Sequence, residues 1–125
     1  MNGDRFLLDT NVIIGLLKDD GAVIEFMTKR MVPSTGNYTS QISRMELLSF
    51  SAITSDEELR IRAFLVDCSV LLIDDRIEAE AIAIRRAKRL QLPDAIVAAS
   101  ARVHRLKLLT LDKRLEATYL DWIGA

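Results

Sequence analysis

The chain has 125 residues, half of them hydrophobic and 28% charged, with 17 Lys and Arg against 18 Asp and Glu and a formal net charge of −1. That composition belongs to a globular chain with one core, and excludes a disordered or fibrous one. A single cysteine, Cys68, excludes an internal disulfide and paired-cysteine metal or redox motifs, and a single histidine, His104, excludes a His-rich zinc site and leaves a Ser-His-Asp triad hard to build.

The opening MNGDRFLLDTN reaches an acidic residue too early for a signal-peptide apolar region. Residues 5–8 form a short apolar run closed by Asp9 and predict a buried strand. Val12, Ile13, Leu16 and Leu17 then recur at helical spacing, and after the break at Asp20-Gly21 the pattern resumes over residues 22–31. Residues 32–37, VPSTGN, are a loop rich in turn formers. A second strand follows over 38–42, then a helix through Met45, Leu47, Leu48 and Phe50. Ser55-Asp56-Glu57-Glu58 marks another helix start, a capping-type serine with acids in the first turn.

Residues 70–73 predict a third strand. Asp74 and Asp75 cap a long helix whose apolar stripe is Ile77, Ala81, Ile84, Ala87 and Leu90. Pro93 interrupts, and Asp94 opens a further helix through Ile96, Val97 and Ala101 towards Leu106. Residues 108–111 form a fourth strand ending at Asp112, a short helix follows, and residues 119–123 read as a fifth strand. Strands alternating with longer amphipathic helices predict an α/β fold: a three-layer α/β/α sandwich around a parallel sheet of four to five strands, in a single domain spanning 1–125. No apolar run approaches the roughly 20 residues that span a bilayer, so no membrane association is expected.

Charge is unevenly distributed. Residues 85–114 hold nine basic residues and two acids, a net +7, against −8 for the remainder. Such asymmetry points to a polyanionic partner, although a charge run is as often a solvated helix face. The residues read as candidates for binding such a partner's phosphates are Arg85, Arg86, Arg89 and Arg102. Neither GxxxxGK[ST] nor GxGxxG occurs, so no nucleotide phosphate loop is signalled.

Ligands of open α/β sheets bind beyond the carboxyl ends of the strands. Asp9 follows the first strand, Glu46 lies about one turn into the helix after the second, Asp94 opens a helix, and Asp112 follows the fourth strand. Each has a plain structural alternative: Asp9 and Asp94 as helix caps, Asp112 as turn chemistry, Glu46 as a solvated residue. Their apolar settings weigh against that alternative, because a partly desolvated carboxylate is costly without a cation or donor. Carboxylates alone select hard ions such as Mg2+ or Mn2+.

The segments FLLDTNVIIGLL at 6–17, TSQISRMELL at 39–48, LQLPDAIVAASA at 90–101 and LLTLD at 108–112 resemble, in order and spacing, the four motif regions of PIN-domain ribonucleases. The similarity is strongest to VapC-type toxins of toxin–antitoxin pairs. It implies a Mg2+- or Mn2+-dependent endoribonuclease with Asp9, Glu46, Asp94 and Asp112 as metal ligands, and Thr10, Asn11 and Thr110 as supporting hydrogen-bonding residues, with Ser43 and Ser100 nearby. It also implies an RNA substrate, a cognate antitoxin, a homodimer and a cytoplasmic setting. Leu115 departs from the family, which often carries an aromatic residue there.

Other readings fit less well. A phospho-receiver domain would place its acidic pair after the first strand rather than at Asp74-Asp75. A dehalogenase-like phosphohydrolase needs a second Asp where this chain has Asn11. A catalytically silent nucleic-acid- or partner-binding module, or a solitary RNA-processing nuclease without an antitoxin, stays open. His104 reads as a mid-helix surface residue, Cys68 as a small hydrophobe, and Met27, Met31 and Met45 as core or interface filling.

Overall fold

The computed structural model describes residues 3–124. Four short strands, β1 (Phe6–Leu8), β2 (Tyr38–Ser40), β3 (Ser69–Leu71) and β4 (Lys107–Leu109), form one sheet in the order β3-β2-β1-β4. Every pairing is parallel, with Leu7 opposite both Tyr38 and Leu108, and Thr39 opposite Val70. Parallel strands are apolar on both faces and must be covered on both. On one face lie α1 (Thr10–Leu17), α2 (Gly21–Lys29), α3 (Gln41–Leu48) and α4 (Ser55–Val66); on the other lie α5 (Asp75–Lys88), α6 (Leu92–Val103) and α7 (Lys113–Gly124). The α/β/α sandwich expected from the sequence is present, with four strands.

Strand alternation divides the core. Leu7 points into a cluster with Ile77, Ile84, Ala98 and Leu115, while Phe6 and Leu8 point into a second cluster with Val12, Ile13, Leu47 and Ile61. In α1, Gly15 lets α2 approach: a Cβ there would lie 2.4 Å from Val23 Cγ2. In α6, Ala95, Ala98, Ala99 and Ala101 are all fully buried, and this helix packs most extensively against α5. Pro93 sits in the first turn of α6, where its missing N–H costs nothing.

The chain runs outward from β1 to β3 and then returns, so that β4 pairs with the other side of β1. The carboxyl ends of β1 and β4 therefore form the topological switch point at which parallel sheets open a ligand crevice.

Several expectations are corrected. The proposed fifth strand over 119–123 is helical, part of α7. Tyr119 and Trp122 carry β-favouring side chains, but with Leu115 they recur at helical spacing, and both are anchored across the core: the Tyr119 hydroxyl donates to the Leu106 carbonyl at 2.8 Å and Trp122 Nε1 to Glu80 Oε2 at 2.6 Å. The third strand ends at Leu71, leaving Leu72 and Ile73 exposed, and the fourth ends at Leu109. α6 starts at Leu92, ahead of Asp94, and ends at Val103, so His104 is its C-cap rather than a mid-helix residue. Ala87 is exposed and drops out of the α5 stripe, which Leu90 extends. Thr54, not Ser55, caps α4, in a capping box with Glu57. Asp74 caps α5 as read, accepting from the Ile77 N–H at 2.9 Å. Met27 is buried, but Met31 and Met45 are exposed; Cys68 is half-buried, and burial pushes its thiol up to about 11. Among the described residues no helix is long and apolar enough to cross a membrane.

Candidate active site

Asp9 is both a cap and a site residue. At the end of β1 its Oδ1 accepts from the Thr10 N–H at 2.8 Å, capping α1, while Oδ2 accepts from the Thr110 hydroxyl at 2.8 Å. Only 7% of Asp9 is exposed. Burial raises its carboxyl above the ordinary value of 3.8, the bonds from Thr110 and Thr10 pull the other way, and the charges of Asp94 and Glu46 raise it further.

Asp94 projects from the first turn of α6, partly buried. Burial again raises its carboxyl, the charges of Asp112 and Glu46 add to the effect, and Arg114 opposes it. Glu46, exposed on α3, accepts from the Thr10 hydroxyl at 2.6 Å. Asp112, exposed after β4, accepts through Oδ1 from the N–H groups of Arg114 at 3.0 Å and Leu115 at 3.1 Å, which cap α7.

Thr110 is the hub. Besides donating to Asp9, its hydroxyl oxygen accepts from the Asp112 N–H at 3.1 Å and from Asn11 Nδ2 at 3.3 Å, and Asn11 Oδ1 accepts from the Leu111 N–H at 3.1 Å. Thr10, Asn11 and Thr110 thus link the ends of β1, β4 and α3 around the carboxylates. Ser43 and Ser100 are buried and spoken for within their own helices. Ser43 shares the α3 cap with Ser40, and the Ser100 hydroxyl donates back to the Ile96 carbonyl at 2.7 Å.

The four acids feel one another, yet among the described residues no three of them already stand in a coordinating arrangement. Each carboxylate except that of Asp94 is turned to a neighbouring hydroxyl or N–H instead. The donor set still suits a hard divalent ion: it is all carboxylate and hydroxyl oxygen, and its buried charges gain from one.

The basic residues separate into two groups. Arg85, Arg86 and Arg89 line a depression of about 410 Å3 with Leu92, at the end of α6 that carries Asp94. Arg102 belongs to the last turn of the same helix, eight residues from Asp94 and so about 12 Å along its axis. It lines a hollow of about 370 Å3 with Arg5, Arg105 and Lys107, at the amino ends of β1 and β4. Arg102 therefore does not join the carboxylates. Arg114 does, although sequence reasoning counted it only among the basic residues; its place two residues after Asp112 was the available signal. Elsewhere, an apolar hollow of about 440 Å3 lies between α1, α3 and α4, lined by Ile14, Leu17, Leu47, Phe50 and Ile53.

Fold and site together define a parallel α/β/α protein with four carboxylates gathered near its switch point. The PIN domain family profile matches residues 6–120, and the chain belongs to that family. Among solved structures it is similar to a toxin–antitoxin complex from Klebsiella pneumoniae, with 31% identity, a TM-score of 0.77 and 88% of each chain covered. Two others share the fold. One is VapBC2 from Rickettsia felis bound to a promoter DNA fragment (16% identity, TM-score 0.73, 91% of this chain and 92% of that one). The other is VapBC-1 from nontypeable Haemophilus influenzae (22% identity, TM-score 0.72, 94% and 93%). No curated protein sequence matches significantly.

Proposed function

We propose that this chain is a metal-dependent endoribonuclease and the toxin half of a toxin–antitoxin pair. The observation that carries the catalytic reading is the convergence of Asp9 and Asp94, both with raised carboxyls, beside Glu46 and Asp112 at the β1/β4 switch point. Membership of the PIN family and similarity to a toxin–antitoxin complex support it.

Asp9, Glu46, Asp94 and Asp112 would hold Mg2+ or Mn2+. Such an ion, when bound, supplies a more acidic water and offsets charge on a phosphoryl oxygen. The protein's own part is orientation. Thr110 and the Thr10 N–H fix the two oxygens of Asp9, and the Thr10 hydroxyl holds Glu46 towards the same crevice. Asp94 is fixed by its helix, whose next turns are buried alanines. Arg85, Arg86 and Arg89, on the Asp94 side, carry flanking phosphates of the RNA, so affinity falls steeply with salt. The apolar hollow between α1, α3 and α4 is a surface that an antitoxin would cover.

The test is cleavage of an RNA panel with and without Mg2+. Asp9→Asn and Asp94→Asn abolish cleavage while circular dichroism shows an intact fold; full activity in either overturns the assignment. Turnover by the wild type also separates an enzyme from a catalytically silent module. A small protein encoded beside this chain that copurifies with it and stops cleavage supports the toxin reading, and a chain that acts alone is a processing nuclease.

A further inference from the structure

An anionic substrate approaching four carboxylates needs a cation beside them, and the sequence named Arg85, Arg86, Arg89 and Arg102 for that part. The structure offers a different residue. Arg114 lies in the first turn of α7, directly beyond the carboxyl end of β4. Its backbone is tied into the site, because its N–H donates to Asp112 Oδ1 at 3.0 Å, which fixes where the side chain begins. The residue is exposed, and among the described residues its guanidinium has no carboxylate partner and no hydrogen bond. By contrast, Lys88 is committed to Asp121, Arg62 to Glu58 and Lys107 to Asp4.

That backbone bond seats Arg114 beside the acids, and among the described residues none of Arg85, Arg86, Arg89 or the adjacent Lys113 donates to any of the four. A fixed backbone, an uncommitted planar fork and proximity to the acids together describe a group awaiting an oxyanion. Guanidinium matches two phosphate oxygens at once, which an ammonium does not.

Resting on the nuclease reading above, we infer that Arg114 binds a non-bridging phosphate oxygen of the RNA at or next to the cleavage position, holding the backbone against the carboxylates. It is a substrate-contacting residue, distinct from the flanking basic group on α5. Its loss weakens substrate capture, and Lys restores part of it, because charge survives but the paired geometry does not.

The experiment compares Arg114→Gln and Arg114→Lys with Lys113→Gln, which removes the same charge one position away. RNA binding is measured by fluorescence anisotropy, with Ca2+ in place of Mg2+ and over a series of salt concentrations; cleavage is measured in Mg2+. Arg114→Gln weakens binding about ten-fold or more and lowers the salt slope by about one. KM rises at least as much as kcat falls, Arg114→Lys is intermediate, and Lys113→Gln changes affinity only slightly. Unchanged affinity and slope in Arg114→Gln, or an equal loss in Lys113→Gln, overturns the inference. If the wild type binds RNA but does not cleave it, the nuclease reading fails while the binding comparison still decides the role of Arg114.

Discussion

Thr110→Val isolates the hydrogen bond that holds the most buried acid of the site. Valine keeps the shape and the β-branch, so no cavity opens, and only the hydroxyl is lost. Thr110 is 3% exposed, and water cannot readily replace its bond to Asp9. A hydrogen bond to a charged group is worth about 1.5–3 kcal/mol, against about 0.5–1.5 kcal/mol for a neutral pair. The Asp112 N–H and Asn11 Nδ2, which also lose their acceptor, lie nearer solvent and add little. At neutral pH, with Asp9 ionised, the expected loss is therefore about 2 kcal/mol, a large part of a domain stability of about 5–15 kcal/mol.

The discriminating quantity is the dependence on pH. The Asp9 carboxyl is raised above 3.8, so at about pH 4 more of it is protonated in the folded protein than of a free carboxyl, and the loss shrinks towards that of a neutral bond, about 1 kcal/mol. The measurement is urea denaturation of metal-free protein at both pH values. Thr110→Ser, which keeps the hydroxyl, shows no such pH-dependent component. An equal loss at both pH values, or less than about 0.5 kcal/mol at neutral pH, refutes the reasoning.

Two further outcomes concern charge and packing. A carboxyl whose pKa is raised by folding leaves the native state binding more protons than the unfolded one between the two values, so its contribution to stability falls as pH rises through that window. Asp94→Asn therefore stabilises the metal-free protein at neutral pH, by up to about 1 kcal/mol for so accessible a group, and the gain vanishes below about pH 4. Mg2+ raises the melting temperature of the wild type more than that of the variant, and a variant less stable than wild type in EDTA contradicts the sign. At the α1–α2 crossing, Gly15→Ala drives a methyl into the stiff Val23 side chain and costs about 1–3 kcal/mol. Adding Val23→Ala relieves part of that cost, whereas strictly additive losses in the double variant show that the contact is not the cause.

Much of this was legible because apolar strands closed by acids leave a plain pattern. FLL followed by Asp9, and LL followed three residues later by Asp112, placed both acids at one edge of a parallel sheet. The bland alternative for Asp9 also held: a carboxylate has two oxygens, one for the helix cap and one for Thr110. Less legible was anything decided by contacts distant in sequence. Whether residues 119–123 form a strand or a helix turned on Tyr119 reaching Leu106 and Trp122 reaching Glu80. The charge run 85–114 looked continuous, yet a 12-residue helix carries its two ends to opposite sides of the protein, separating Arg102 from Arg89. Arg114 was hidden for a related reason, since only the turn into α7 shows which cation is tied to Asp112.

The four buried alanines of α6 have a consequence for genetics. If the chain is the toxin proposed above, selection for harmless variants returns any lesion that removes activity. At Ala95, Ala98, Ala99 and Ala101 each added methylene group has nowhere to go, at a cost of about 1–3 kcal/mol. Such clones lose abundance rather than chemistry, and they cluster beside Asp94 in the sequence. A map of inactivating substitutions will therefore exaggerate the proposed catalytic region around residue 94 unless protein level is measured clone by clone.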